Sequence, residues 1–301
     1  MIKYLFNFIV FPGFLFTAVI GLAASWIDRK VTARVQWRVG PPWYQPFVDL
    51  VKLSIKEITV PKSASKPLFF FSPLIGLSAV ILASTFIWLA NMGSWSVGFS
   101  GDIIVVLYLL TIPAIALMLG ASASGNPLAS LGVSREMKLM LAYELPFIII
   151  LTVPIIKSGG ILRLADLVLF QEANGAFVTS ISGVLAILVG IFCMQAKLGL
   201  VPFDMGEAET EIMAGVYIEY SGMLLAIFKL TKTMMLVAMP VFLVTIFWGG
   251  FSIWKYVILL VVIILMRNTN PRVRIDQAMR FFWGKMTFIA AMAALLAVMG
   301  M

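Results

Sequence analysis

Apolar residues fall into eight blocks along the 301-residue chain, at 5–27, 68–90, 103–119, 139–156, 178–196, 223–247, 253–266 and 281–300. A helix needs about 20 apolar residues to cross the ~30 Å hydrocarbon core of a bilayer. The pattern therefore predicts an all-α integral membrane protein, a single membrane domain over 1–301 with about eight transmembrane helices. Several blocks are shorter than that length, so their helices must run into flanking residues or lie among neighbours. Pro12 with Gly13, then Pro113, Pro146 and Pro240, fall inside blocks and predict bends, which packed membrane helices tolerate.

The polar stretches between blocks are equally patterned. The longest, 28–67, contains an irregular piece at Arg38, Gly40, Pro41 and Pro42, where glycine frees the backbone and two prolines remove donors. Beyond it, Phe47, Leu50 and Val51 alternate at helical spacing with Asp49, Lys52, Lys56 and Glu57. That spacing predicts an amphipathic helix at about 44–58, lying on the membrane surface or against a partner. A second polar stretch, 197–222, holds Asp204, Glu207, Glu209, Glu211 and Glu219. Read as a helix from Met205, it places Asp204, Glu207 and Glu211 on one face, Glu219 close to that stripe and Glu209 elsewhere. A third, 267–285, is basic. Asp102, after Gly101, is placed to cap the third span. Asp166 and Glu172 read as solvated.

Composition agrees with the pattern: 61% of residues are hydrophobic and 12% charged, far from the roughly 25% charged of soluble domains. The chain has no histidine and one cysteine, Cys193. An internal disulfide, histidine-ligated haem and a cysteine-held iron–sulfur cluster are thereby excluded. No phosphate-binding loop or dinucleotide fingerprint is present. The first block runs into a basic loop without a cleavage pattern, and reads as a span rather than a signal peptide.

The net charge of +8 matters through its placement. With eight spans, the side of the first long loop carries 16 of the 22 lysines and arginines, against four on the other side, with Lys229 and Lys232 inside the sixth span. The positive-inside rule makes the first side cytoplasmic and puts both termini outside. That cytoplasmic face carries both charge signs, which suits a docked protein, and nothing in it calls for nucleic acid.

Charged residues within apolar blocks are functional-site candidates. Glu144 lies in the fourth block, where the plain alternative is a local ion pair with Lys138 or Arg135. Tyr143 beside it reads as packing. Lys229 and Lys232 are three apart on one helical face and predict a hydrated interior, or pairing with Glu144 or Glu219. Arg272 and Arg274 flank the last span, and Asp276 with Gln277 suggests a buried polar network.

Four blocks carry a resemblance. They are DRK at 28–30 with QWRVGP at 36–41, DLVKL at 49–53 and KE at 56–57; SRE at 134–136 through YE at 143–144; PFDMGEAETEIMAG at 202–215 ending in EYSG at 219–222; and PRVRIDQ at 271–277. The chain resembles the membrane anchor subunit shared by respiratory complex I, where it is the quinone-site subunit, and by energy-converting membrane-bound hydrogenase and sulfur-reductase complexes. The resemblance implies a non-catalytic subunit with no cofactor or metal of its own. Its partners would be hydrogenase-like large and small subunits, an iron–sulfur subunit with a possible nickel–iron centre nearby, antiporter-like membrane subunits and lipid. It implies charge or proton relay through Glu144, Asp204, Glu207, Glu209, Glu211 and Glu219, to which Lys229 and Lys232 are added. Docking of the redox arm, or a quinone-like cavity, would fall to Arg29, Arg34, Arg38, Asp49, Lys52, Lys56, Glu57, Arg135, Arg272, Arg274 and Asp276.

The chain departs from complex I at Gly40-Pro-Pro-Trp-Tyr-Gln-Pro46. The run from Gly125 to Glu136, and Asp102 before the third span, also look more like the hydrogenase branch. The expectation is a ferredoxin-linked, ion-translocating complex that evolves hydrogen or reduces sulfur. The alternatives are a quinone-binding subunit of a complex I-like dehydrogenase, a purely structural anchor and, disfavoured by the absence of an internal repeat, a free-standing transporter.

Overall fold

The computed structural model describes residues 2–93 and 98–300. Every regular element among them is helical. Met1 and Met301, on which the expected position of the termini partly rests, lie outside the described residues.

The first apolar block is broken where proline and glycine stand, giving α1 (Ile2–Ile9) and α2 (Phe14–Val35). Pro12 has no N–H to give, and its carbonyl accepts the Thr17 hydroxyl at 3.1 Å. The stretch 44–58 contains a helix, α3 (Gln45–Ile55), shorter than the expected span, which packs on α2. The second block is α4 (Lys66–Asn91). The third divides into α5 (Asp102–Leu109) and α6 (Ile112–Ala123). Pro113 explains the division, since its ring crowds the carbonyl four residues back and it lacks a donor.

The fourth block is the longest helix, α7 (Pro127–Lys157). It begins well before the apolar run because Asn126 caps it, accepting the Leu128 N–H at 2.8 Å, with proline at the first helical position. Arg135, Glu136 and Lys138 are thereby drawn into the helix. Then come α8 (Leu164–Asn174), α9 (Ile181–Lys197), the single turn α10 (Glu209–Ile212), α11 (Gly222–Phe247), α12 (Ile253–Thr269) and α13 (Ile275–Arg280). A π-helical stretch, Phe281–Met286, leads into α14 (Thr287–Val298). In that stretch the Thr287 hydroxyl donates to the Phe282 carbonyl at 2.7 Å.

Among the described residues, six helical segments are long and apolar enough to cross a membrane: Tyr4–Val35, Lys66–Asn91, Asp102–Ala123, Pro127–Lys157, Gly222–Phe247 and Ile275–Val298. The fifth and seventh blocks form α9 and α12, which have 17 residues each. The helix at the centre is α11, 83% of whose most apolar window is buried, against 28% for the last segment. It packs against α2, α3, α4, α9 and α12. The close approach of α2 rests on Gly21: a Cβ there would lie 2.7 Å from the Thr233 carbonyl oxygen of α11. Helices α7, α9 and α14 pack mutually, and α6 packs on α4. A smaller core joins Phe69 of α4 to Tyr220, whose rings stack at 4.3 Å.

Two local expectations are corrected. Asp102 does not cap its own helix. Its Oδ1 accepts the Leu164 N–H at 2.7 Å and so anchors the first turn of α8, because the chain returns beside it. Asp276 and Gln277 are exposed, not part of a buried network. Gln277 folds back to accept the Arg274 N–H at 3.2 Å, a local cap that needs no distant partner.

Candidate functional site

The charged residues gather around two cavities that share a wall. The larger, about 520 Å³, lies among α2, α11, the start of α10 and the end of α12. From α2 come Asp28 and Arg29, from α11 Lys229 and Lys232, from the acidic loop Glu207 and Glu209, and from α12 Arg267. Helical spacing of three puts both lysines on this side. Asp28 pairs with Arg267, so α2 and α12 are tied across 239 residues. The other Asp28 oxygen, Oδ1, is buried without a hydrogen-bond partner among the described residues. Arg29 turns instead to Asp49 of α3 at 2.8 Å, and Gln45 donates to the same carboxylate at 2.7 Å.

The acidic loop does not form the helix expected from Met205. Only the single turn α10 and a 3-10 turn at Gly215–Tyr217 are helical, and Met213 and Ala214 between them adopt left-handed backbone angles, φ 51° and 69°, which end α10. The carboxylates consequently reach different partners instead of sharing a stripe. Asp204 is buried and receives Arg272 Nε at 2.9 and 2.8 Å and Nη2 at 2.7 Å, a planar fork on a planar acid. Glu211 pairs with Arg135 of α7, and Glu219 accepts from Asn126. Glu207 pairs with Lys232, whose Nζ is 2.7 and 2.5 Å from its two oxygens. Glu209 stays exposed at the mouth of the larger cavity, as does Lys229.

Leu198, Glu207, Tyr217 and Lys232 line both cavities. The inner cavity is only about 50 Å³, enough for a few waters. Glu136 of α7 and Lys197 of α9 stand on its walls. Burial, followed by the nearby Glu207 and Glu136, pushes the Tyr217 phenol well above its ordinary range, so it stays a neutral donor. Glu136 is buried and forms no ion pair among the described residues. Gly206 gives it room, since a Cβ there would lie 2.6 Å from Glu136 Oε2.

Beyond the inner cavity lies Glu144. Its partner is neither Lys138 nor Arg135, nor either lysine of α11. Lys197 Nζ donates to Glu144 Oε1 at 2.7 Å and to the Thr111 hydroxyl at 2.9 Å. Thr111 sits in the break between α5 and α6, and its hydroxyl is 2.9 Å from the same Glu144 oxygen. The ammonium also faces the Phe147 ring at 4.8 Å and the Tyr143 ring at 5.7 Å. Lys138 and Arg135 lie too far along α7 toward the loop, and Lys138 is exposed.

Glu136, Lys197, Thr111, Asp28 and Arg267 therefore belong with the charged constellation, although none is among the candidates read from sequence. Glu136 had a usable signal: it lies two helical turns before Glu144 and so shares its face. The remaining docking candidates, Arg34, Arg38, Lys52, Lys56, Glu57 and Arg274, are exposed and lie outside both cavities. Among the described residues no cluster of three or more histidine, cysteine or acidic side chains is arranged to hold a metal ion.

A family model described as NADH dehydrogenase matches residues 7–299. The chain is 32% identical over 283 residues to the H subunit of the NADH-quinone oxidoreductase of Geobacillus thermodenitrificans, covering 85% of this chain and 82% of that one. It is 30% identical over 291 residues to the corresponding H subunit of Dehalococcoides mccartyi strain CBDB1, covering 91% and 80%. Its structure superposes with a TM-score of 0.89 on a chain of the membrane-bound sulfane sulfur reductase, an archaeal respiratory membrane complex, at 29% identity over 99% of this chain and 100% of that one. With a match along nearly its whole length and a charged constellation built on the matching segments, the chain belongs to the NADH dehydrogenase family of membrane subunits, alongside the H subunits of the NADH-quinone oxidoreductases.

Proposed function

We propose that this membrane-embedded subunit of a respiratory complex anchors a peripheral redox arm and passes the effect of its chemistry into the membrane. The partners in this reading are hydrogenase-like large and small subunits, an iron–sulfur subunit and antiporter-like ion-translocating subunits. Electrons from a ferredoxin-like donor would stay in the peripheral arm, and the cofactors with them. The likeness to a sulfane sulfur reductase chain supports the sulfur-reducing or hydrogen-evolving branch.

One observation carries the coupling role. Charged residues run from the larger cavity, through Glu207 and Lys232, past Glu136 to the buried Lys197–Glu144 pair. A passive anchor would be better served by apolar side chains there, because buried ion pairs rarely add net stability. A relay of charge or protons needs such groups at intervals a water can bridge. The test is Glu144→Gln in the assembled, vesicle-reconstituted complex. Assembly and redox turnover should persist, while ion translocation per electron falls at least about tenfold. Undiminished translocation would falsify the role.

We read α9 and α12 as the fifth and seventh of eight spans. At about 25 Å each they need flanking residues to meet the bilayer thickness. The charge asymmetry then makes the faces holding α3 and the acidic loop cytoplasmic. Docking of the redox arm is assigned to that face, with Arg34, Arg38, Lys52, Lys56, Glu57 and Arg274 free to meet it.

A second reading has its own support. The larger cavity, about 520 Å³, is of a size that takes small organic ligands, and the bacterial relatives are named quinone oxidoreductase subunits. Quinone recovered in equal amount with the purified complex would favour it. Its absence, with turnover intact, favours the sulfur- or proton-reducing branch.

A further inference from the structure

Of the charged groups around the inner cavity, Lys197 stands apart. It is the last residue of α9, its side chain is 1% exposed, and it touches two compartments at once. On one side its ammonium donates to Glu144 Oε1 and to Thr111. On the other it walls the cavity whose opposite lining includes Glu136, Glu207 and Lys232. Glu207 already has a cation in Lys232, whereas Glu136 forms no ion pair among the described residues. A buried carboxylate without a counter-charge among the described residues thus lines the same small cavity as a lysine held by a second carboxylate.

Lysine suits such a position. Its charge is a compact point on a long flexible stem with rotatable donors, so it can exchange one acceptor for another. In hydrocarbon surroundings a free cation at Glu144 would need several oxygen ligands. The ammonium instead brings its charge tethered, with the faces of Phe147 and Tyr143 beside it. The groups facing Glu144 are Lys197 and Cys193 from α9, Thr111 from the break between α5 and α6, and Tyr143 from its own helix, which also carries Glu136 on the cavity wall. Across the cavity lie Glu207 and Lys232. Helix α14, packed on α7, carries no charged residue.

Resting on the coupling role proposed above, we infer that Lys197 is a tethered cation that moves its charge between Glu144 and the Glu136 end of the inner cavity. It serves as the switch between the two halves of the constellation. While it sits on Glu144, the inner carboxylate is neutralised and a mobile cation has no place beside it. When Glu136 or Glu207 gains negative charge, the ammonium is drawn across and Glu144 becomes free to accept a proton. No bond is made or broken by Lys197 itself, and the proton taken by Glu144 originates in bulk solvent, relayed by cavity water that gives up one proton and regains another in the same step, so that no hydroxide is left behind. Lys197 is thus a positioning residue for Glu144.

The test uses the whole complex, reconstituted in vesicles, with redox turnover and ion translocation measured together. Lys197→Gln should assemble and turn over but translocate at least about tenfold fewer ions per electron. Lys197→Arg, which keeps a charge on a long stem, should recover most of the coupling. The decisive variant exchanges the pair, Glu144→Lys with Lys197→Glu. It preserves a buried ion pair and therefore assembly, but puts a carboxylate where the cavity needs a cation, so it should remain uncoupled. Wild-type coupling in the exchanged variant would reduce the pair to a structural tie and overturn the inference. The same holds if Lys197→Gln couples normally while Glu144→Gln does not, and in that case the coupling role of Glu144 stands. If Glu144→Gln also couples normally, it is the coupling role that falls. Should the neutral variant fail to assemble, the comparison of Lys197→Arg with the exchanged pair still decides.

Discussion

Asp204 and Arg272 show how single residues hold the acidic loop. The aspartate is buried and takes three contacts from one guanidinium, while Arg272 Nη1 also donates to Thr210 at 3.0 Å. Truncating one member of such a pair leaves the other charge desolvated. Arg272→Ala should therefore destabilise the fold by about 2–5 kcal/mol. A fall in the thermal midpoint of the purified complex would register it, and adding Asp204→Asn should restore part of the loss. At this scale the sequence was half legible. Glu144 stood out because a carboxylate in an apolar block is costly. Its partner did not, since Lys197 ends a different helix 53 residues away and pairing across the fold leaves no periodic trace. Asp28 and Arg267, 239 residues apart, were hidden for the same reason.

Elements were more readable than residues where apolar content alone decides them. The blocks became helices, and Pro12 with Gly13 and Pro113 broke them where proline chemistry demands. The stretch from Met205 failed as a helix because tertiary partners on α7, α11 and the loop after α12 pull its carboxylates apart, and two non-glycine residues turn left-handed to permit it. Packing between elements yields two expectations. Gly21→Val places side-chain atoms against the backbone of α11, so α2 must move. A loss of about 1–3 kcal/mol is expected, read as a lower thermal midpoint. The mooring of α3 depends on pH through Asp49. Burial raises its carboxyl, but hydrogen bonds from Arg29 and Gln45, with the Arg29 charge, prevail and hold it below the usual 3.8. A lowered folded value means that the contribution is fully present above 3.8 and is lost as pH falls through the lower value. Hydrogen exchange across Gln45–Ile55 should accelerate in that acid window, and Arg29→Met should abolish the pH dependence while raising exchange at neutral pH.

For the whole molecule, the proposed orientation is directly testable because Cys193 is the chain's single cysteine and is fully buried. Glu172→Cys and Lys62→Cys both introduce exposed thiols, on opposite sides of the proposed topology. A membrane-impermeant maleimide applied to intact cells should label the first and spare the second. The reverse pattern would invert the orientation. That topology is an expectation drawn from charge asymmetry in the sequence, whereas the cavities leave no trace there, because they arise only where distant helices fail to touch. The ties between those helices have one further consequence. Asp28 with Arg267, Asp204 with Arg272, Glu207 with Lys232 and Glu144 with Lys197 each join different segments, and each sums to zero. Together they behave as a balanced bridge circuit, silent while every arm is matched. One added proton unbalances an arm, and at an effective dielectric of about 20 a unit charge is felt roughly 4 Å away at about 4 kcal/mol. In the coupling role proposed above, a molecule wired this way would respond to a single elementary charge without passing any current of its own.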